Sequence, residues 1–226
     1  MNRYAFLAVP LTFALLGGSF APLTVSAQSS WYLGASVGYG VIDATTGEVE
    51  QGFLSDDGFV ATGTTLDKTD VGWKAYLGYR FNPYLAAEGG YVDLGEASFN
   101  TTIVSAPPGT NPAPPFPIHA TATAKGVVLS GLAHLPLTDS FSLFAKAGLF
   151  RWQAKFTERI PGTDITRVSR SEEKTDPLYG AGLQLHFTPA IAARLEWERF
   201  KDVGSGIGGR EGRDVDFFSA GILVQF

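Results

Sequence analysis

The chain has 226 residues, of which 45% are hydrophobic and only 17% are charged, and it contains 27 glycines and no cysteine. The charged fraction is well below the roughly 25% of a typical soluble domain, and the lack of cysteine excludes disulfide scaffolds and cysteine-ligated zinc sites. A net charge of −5 argues against a nucleic-acid-binding protein that works by broad phosphate neutralisation.

The N-terminal segment has the features of an export signal. Arg3 supplies a positive charge, the stretch that follows to Leu16 is mostly apolar, and Ala27 ends a small-residue sequence typical of a cleavage site. The apolar stretch is shorter than the roughly 20 residues that a membrane-spanning helix needs. We therefore predict a cleavable signal peptide over 1–27 and an exported mature domain over 28–226.

Beyond the signal, apolar residues alternate with small or polar residues with a period of two. In the first such segment Trp31, Leu33 and Ala35 lie on one face, and Tyr32 and Gly34 lie on the other. This alternation is typical of a strand whose two faces have different surroundings, and a tilted strand of roughly 9–11 residues can cross a bilayer. The pattern predicts eight strands over 31–41, 70–81, 84–93, 121–135, 141–152, 178–187, 191–200 and 216–226.

The connections between these strands alternate in length. Short turns are predicted around Asn82, Thr138 and Thr188, so all long connections leave the same end, as in an up-and-down meander. The last strand must pair with the first, because an open strand edge is not tolerated in hydrocarbon. The second long connection is rich in proline and is expected to be coil. The predicted long loops cover 42–69, 95–118, 157–176 and 201–214.

The polarity of the two strand faces decides between a membrane barrel and a soluble carrier. A soluble eight-stranded barrel has an apolar interior and a polar exterior. Here the polar face carries glycines and ionic side chains, which fit the narrow interior of eight strands, whereas the apolar face fits lipid. The predicted fold class is all-β: an eight-stranded antiparallel up-and-down transmembrane β-barrel. The side chains predicted for a lumen ionic network are Lys74, Arg80, Glu88, Lys146, Arg194 and Glu196.

Large aromatic side chains lie near the ends of the predicted strands, mostly on the apolar face. Trp and Tyr are enriched at the two water interfaces of membrane proteins, and membrane barrels carry aromatic girdles there. Together with the export signal, this placement favours the outer membrane over packing in a soluble core. The predicted interface aromatics are Trp31, Tyr39, Trp73, Phe81, Tyr84, Tyr91, Phe187 and Trp197.

Several segments resemble the outer-membrane protein A barrel family. The most specific lie in GYRFNPYLAAEGGYVDLG and DPLYGAGLQLHFTPAIAARLEWERF, and the likeness extends over most of 31–226. The resemblance implies residence in the outer membrane of a Gram-negative bacterium, with the long loops outside. Phe226 resembles the terminal signal that the barrel-assembly machinery reads. Many relatives carry a further periplasmic domain that binds peptidoglycan, whereas this chain stops at the last strand, so that function is not carried over.

The resemblance also implies an ionic cluster that crosses the lumen. Glu88 and Arg194 match its carboxylate and arginine positions, and Lys146 matches another basic position. A lysine and a glutamate of the family's cluster are replaced here by Leu132 and Gln184. One charge of each sign is thus lost together, so we expect a simpler network that is structural rather than a conducting pathway.

These features favour a structural and surface-interaction role, covering membrane integrity and contacts made by the loops. The alternative is a narrow channel for small solutes. A lipid-remodelling enzyme is less favoured, because nothing brings His119, His134 or His186 within reach of a serine. No catalytic residue, cofactor or metal is predicted. The expected partners are outer-membrane lipids and lipopolysaccharide, the barrel-assembly machinery and a host or environmental ligand at the loops; we expect a monomer and no nucleic acid.

Overall fold

The computed structural model describes residues 30–47, 50, 58–109, 113–163, 166–206 and 212–226. The predicted signal peptide and the predicted mature N-terminus at Gln28 lie outside these residues. Within them, no helix is long and apolar enough to span a membrane. The strands are β1 (Trp31–Ile42), β2 (Val60–Asp67), β3 (Thr69–Asn82), β4 (Leu85–Ser105), β5 (Phe116–Pro136), β6 (Phe141–Arg159), β7 (Thr166–Thr188), β8 (Ile191–Val203) and β9 (Arg213–Gln225).

Eight of the nine strands form a closed antiparallel ring. The ring runs β1-β3-β4-β5-β6-β7-β8-β9 and returns to β1. The seam between the first and last strands extends from Tyr32 opposite Gln225 to Ile42 opposite Val215. The predicted eight-stranded barrel is thus confirmed. β2 lies outside the ring, within the predicted first long loop, and pairs with the outer part of β4.

The three short turns are held by side-chain oxygens at the positions where turns are predicted. Asn82 Oδ1 accepts hydrogen bonds from the backbone N–H groups of Tyr84 (2.8 Å) and Leu85 (2.9 Å). The hydroxyls of Thr138 and Thr188 accept the equivalent bonds from backbone N–H groups two and three residues further on. Such side-chain bonds stabilise tight turns locally. We call this end of the barrel the turn end and the opposite end the loop end.

Four neighbouring strands continue far beyond their predicted length at the loop end. β4 and β5 stay paired out to Ile103 opposite Phe116, and β6 and β7 stay paired out to Arg159 opposite Thr166. Even Pro117, in the segment predicted to be coil, takes part in the ladder opposite Thr102. The predictions that 95–118 and 157–176 are loops are therefore wrong for most of their length. With β2, this part forms a loop-end extension that comprises 60–67, 96–105, 116–123, 155–159 and 166–171.

The loop-end extension continues the ladder because it buries apolar side chains of its own. β2 covers them from one side: Ala61 and Leu66 pack against the cluster, and the Thr64 and Thr101 hydroxyls are hydrogen-bonded at 2.8 Å. The two stacked rings of Phe99 and Phe156 have centres 6.2 Å apart. We call the buried cluster the extension core, and its members are Phe59, Phe99, Ile103, Phe116, Ile118, Ala120 and Ile160.

A β-bulge in β4 separates the barrel wall from the extension. The ladder with β5 shifts register between Asp93 and Glu96, and Gly95 has a φ of 86°, a conformation that glycine adopts easily and other residues rarely do. Before the bulge, even-numbered residues such as Val92 point inward, whereas beyond it the odd-numbered Phe99 is buried. The bulge therefore exchanges the two faces of the strand.

Candidate functional site

Charged side chains from four strands meet inside the barrel. They come from β3, β4, β6 and β8, and each lies on the inward face of its strand because strand side chains alternate between the two faces. Their exposed fractions lie between 1% and 5%, so they are removed from water. We call this set the charged layer, and its members are Lys74, Glu88, Lys146, Arg194, Glu196 and Glu198.

Lys146 links all the carboxylates of the charged layer. Its Nζ lies 3.0 Å from Glu88 Oε2, 2.6 Å from Glu196 Oε1 and 3.0 Å from Glu198 Oε1. Lys74 contacts the same two glutamates of β8. Burial of a charge is costly unless it is paired and hydrogen-bonded. Sharing each glutamate of β8 between two ammonium groups offsets that cost.

Arg194 carries the network to the other side of the lumen. Its Nη1 donates to Glu88 Oε1 at 2.5 Å, and its Nη2 donates to Gln184 Oε1 at 3.0 Å. The Tyr32 hydroxyl donates to the same oxygen of Glu88 at 2.8 Å. The guanidinium carbon lies 4.8 Å from the centre of the Phe144 ring, within the range of a cation–π interaction. Gln184 therefore keeps an acceptor for Arg194 without adding a charge.

The charged layer is electrically balanced, with three cations and three carboxylates. It is not confined to the Glu88–Arg194 pair that the resemblance emphasises, because Lys146 joins that pair to β8. Glu198 is absent from the predicted set. It lies two residues after Glu196 on the same inward face, so the period of two already contains the signal for it.

Arg80, which is in the predicted network, does not join the charged layer. It is half-buried near the turn end, where its backbone N–H donates to the Ser30 carbonyl at 2.7 Å. Its buried Nε has no hydrogen-bond partner, and no ion pair connects it to another described residue. His134 is also buried near this end, with both ring nitrogens unpaired among the described residues. The predicted network thus divides into a connected layer and a separate arginine.

Apolar layers lie on both sides of the charged layer. Towards the loop end, the rings of Phe150 and Phe200 meet edge to face with centres 4.8 Å apart. Towards the turn end, Tyr32, Leu132 and Leu223 are 1% to 2% exposed. A cavity of about 20 Å³ lies beside the charged layer, lined in part by Tyr76 and Ser130, and its size suits one water molecule.

The sequence matches a known family along most of its length. The family described as OmpA-like transmembrane domain matches residues 26–226. The chain belongs to this family. Outer membrane protein A of Salmonella typhi is 26% identical over 221 residues, which cover 97% of this chain and 55% of that protein. Outer membrane protein A of Klebsiella pneumoniae is 28% identical over 203 residues, covering 88% of this chain and 52% of that protein. The chain thus spans about half the length of these relatives.

Two solved structures are among those that match. Ail of Yersinia pestis, in complex with the heparin analogue sucrose octasulfate, is 17% identical; the match covers 87% of this chain and 99% of that one, with a TM-score of 0.46. The N-terminal β-barrel domain of Pseudomonas aeruginosa OprF is 12% identical; the match covers 88% and 98%, with a TM-score of 0.45. The family and its named members establish this chain as an outer-membrane barrel of a Gram-negative bacterium.

The predicted interface aromatics divide between the two ends of the barrel. Most of these residues are exposed, from 38% for Tyr91 to 64% for Phe81 and Phe187, whereas Trp197 is half-buried. Several pack edge to face with neighbours, as Trp31 does with Tyr79 at 4.9 Å between ring centres. Trp31, Phe81, Tyr84 and Phe187 lie at the turn end, and Tyr39, Trp73, Tyr91 and Trp197 lie towards the loop end.

Among the described residues, none of the three histidine side chains is hydrogen-bonded to a serine side chain. His119 lies in the loop-end extension, where its Nδ1 and Asn100 Oδ1 are 2.8 Å apart. His186 lies near the turn end, and its Nε2 is 3.0 Å from the amide nitrogen of Gln184. The curated relatives are named as outer membrane proteins.

Proposed function

We propose that this chain is a non-conducting structural barrel of the outer membrane. The observation that carries this proposal is the layered lumen: paired charges lie between apolar layers that contain Phe150 and Phe200 on one side and Leu132 on the other. A path for hydrated ions would have to displace these side chains and separate buried ion pairs, which is costly. The barrel therefore supports the membrane and does not transport solutes.

The proposal is tested by conductance in planar bilayers. The native barrel should give no steady current above that of the bare bilayer. Replacing both rings, Phe150→Ala with Phe200→Ala, removes bulk from the apolar layer and should raise the frequency of openings. Leu129→Ala, on the outward face, is the matched control and should behave as the native barrel. A steady conductance of the native barrel, abolished by bulkier lumen side chains, would establish the narrow channel instead.

The loop end is the part of the barrel that we propose for contacts with the surroundings of the cell. Its support is the loop-end extension, which has a buried core and so presents a fixed surface rather than a set of free loops. Proteases added to intact cells should cut in 43–59, 106–115, 160–165 or 204–212. Cleavage near Asn82, Thr138 or Thr188 on intact cells would place the turn end outside.

Phe226 is proposed as the assembly signal, and the assembled barrel as a monomer. Phe226 is 52% exposed, and its backbone N–H donates to the Trp31 carbonyl at 3.0 Å, so the residue lies at the seam. Deleting Phe226 should lower the amount of folded barrel in the outer membrane, whereas Phe226→Tyr should preserve it. Unchanged yield after the deletion would remove the support for a signal at this position.

A further inference from the structure

The outward apolar columns of β5 and β6 end at basic side chains. On β5 the last apolar members are Leu129 and Val127, and on β6 the last is Leu149, all more than half exposed. The next outward side chains towards the loop end are Lys125 on β5 and Arg151 on β6, both exposed. Since the apolar columns face hydrocarbon, these cations lie at the level of the lipid headgroups.

A third cation, Lys155, lies beyond Lys125 and Arg151 towards the loop end. Lys125 lies opposite Gln153, and Gln153 lies between Arg151 and Lys155 on the same face of β6. Residues two apart on a strand are about 7 Å apart. The three cations thus surround Gln153 on the outside of the barrel wall. We call Lys125, Arg151 and Lys155 the basic triangle.

The nearby carboxylates leave the basic triangle largely unpaired. Glu173 lies beside the triangle: it is 3.8 Å from Arg151, and its Oε1 accepts a hydrogen bond from Gln153 Nε2 at 3.1 Å. The side chains of Arg151 and Glu173 are 72% and 56% exposed, so their ion pair contributes little. Asp93 lies opposite Lys125, yet its Oδ1 accepts the Gly95 N–H at 3.1 Å, and the described residues show no ion pair between Asp93 and Lys125.

At a comparable level on β8 and β9, by contrast, the outward cation is paired within the protein. Arg199 is the first outward residue beyond Trp197, and both its Nε and Nη2 donate to Asp216, at 2.8 Å and 2.5 Å. Trp197 Nε1 donates to the same carboxylate at 2.9 Å. The cation on this side of the barrel is therefore satisfied within the protein, whereas the basic triangle is not.

We propose that the basic triangle binds the phosphate groups of an outer-leaflet lipid, as carried by the lipid A part of lipopolysaccharide. Its position on the outer surface of the wall, directly beyond the apolar columns, makes a lipid headgroup the partner within reach. Guanidinium and ammonium groups are the usual protein ligands of phosphate. This inference rests on the proposed orientation, in which the loop end faces the outer leaflet.

The test is a titration of the refolded barrel, in a neutral detergent, with lipid A that carries two phosphates, read out by native mass spectrometry. Membrane-proximal cations each contribute roughly a fivefold gain in affinity for anionic lipid. The variant with Lys125→Gln, Arg151→Gln and Lys155→Gln should therefore bind roughly a hundredfold more weakly. Arg199→Gln is the matched control and should bind as the native barrel does. Exchanging Lys and Arg within the triangle keeps the charge and should preserve binding.

Further arms identify the source of the phosphate. Dephosphorylated lipid A and phosphatidylcholine should bind the native barrel and the triple variant equally. Equal lipid A binding by native and triple variant would overturn the proposal, as would an equal loss in Arg199→Gln. Displacement of lipid A by millimolar inorganic phosphate would assign the site to free phosphate and would overturn the proposal of a lipid ligand. None of these measurements depends on conductance or on topology in cells. A failure of the lipid-binding proposal can therefore be distinguished from a failure of the proposed function.

Discussion

The lumen of the barrel and the extension core are enclosed in part by the same strands, β4 to β7, but they are built from different chemistry. The lumen buries charges, among which Lys146 contacts three carboxylates. The extension core is apolar, with Ile103 and Ile118 fully buried.

The difference follows from closure of the sheet. Where eight strands close, cations and carboxylates from different strands can meet inside, away from water, and satisfy one another. In the extension, the described pairings join β2, β4, β5, β6 and β7 and do not form a ring. Water reaches such a sheet at its edges, where pairing of charges gains little. Apolar burial, which needs no partner geometry, is the interaction that stabilises an open sheet.

The largest effect is expected in the lumen. Arg194→Ala leaves three buried carboxylates with two cations, and the loss of one partner in a buried pair costs about 3–5 kcal/mol. The free energy of unfolding by urea in lipid vesicles measures this loss. Arg199→Ala, at the outer surface, is the control and should have a much smaller effect. Equal losses in the two variants would mean that water screens the charged layer.

We expect the loop-end extension to unfold locally while the barrel stays folded. Ile118→Ala creates a cavity in the extension core, and such truncations cost about 2–5 kcal/mol. We expect faster amide exchange and faster proteolysis in 96–105 and 116–123, with unchanged urea unfolding of the barrel. Thr157→Ala, in the same part of the sheet but outside the core cluster, serves as the control. A parallel loss of barrel stability would show that the two interiors unfold as one unit.

Double-mutant cycles test whether the lumen and the extension core contribute independently to stability. Glu88→Ala with Arg194→Ala restores the charge balance of the layer, so the pair should cost less than the sum of the single changes by about 0.5–3 kcal/mol. Phe99→Ala with Arg194→Ala joins one change from each interior and should be additive. Additivity in the first cycle would contradict the 2.5 Å contact between Glu88 and Arg194.

The smallest effect concerns the bulge that divides the two interiors. A Cβ at Gly95 would lie 3.0 Å from the Val71 carbonyl oxygen, and the φ of 86° is unfavourable for alanine. Gly95→Ala should therefore cost about 1–2 kcal/mol, with exchange rising first near Asp93. Gly131→Ala, where no heavy atom lies within 4 Å of the new Cβ, should be neutral or stabilising. Equal behaviour of the two variants would show that the bulge tolerates any residue.

The barrel wall could be predicted from sequence because its strands keep one alternation from end to end. In β1 every second residue from Tyr32 to Gly40 is buried, and the turn residues Asn82, Thr138 and Thr188 mark the reversals. The extension escaped prediction because Gly95 reverses the parity of β4, so that Phe99 and Ile103 fall on the face expected to be outward.

The charged layer could be predicted only in part. The alternation places Glu88, Arg194 and Lys146 on the inward face, but the register between strands decides which of them meet. β4 and β8 lie across the ring from each other, and Arg194 reaches Glu88 across that distance. Arg80 has the same inward parity as Lys74 but lies six residues nearer to the turn, beyond reach of the carboxylates of β8.

The seam between β1 and β9 has a consequence for the order of assembly. Every other pair in the ring joins strands that follow one another closely along the chain, and three of those pairs are hairpins fastened by Asn82, Thr138 or Thr188. The seam alone joins the first strand to the last, and the entropy lost in closing a loop grows with its length. We therefore expect the hairpins to form first and the seam, which includes the hydrogen bond from the Phe226 N–H to the Trp31 carbonyl, to close last.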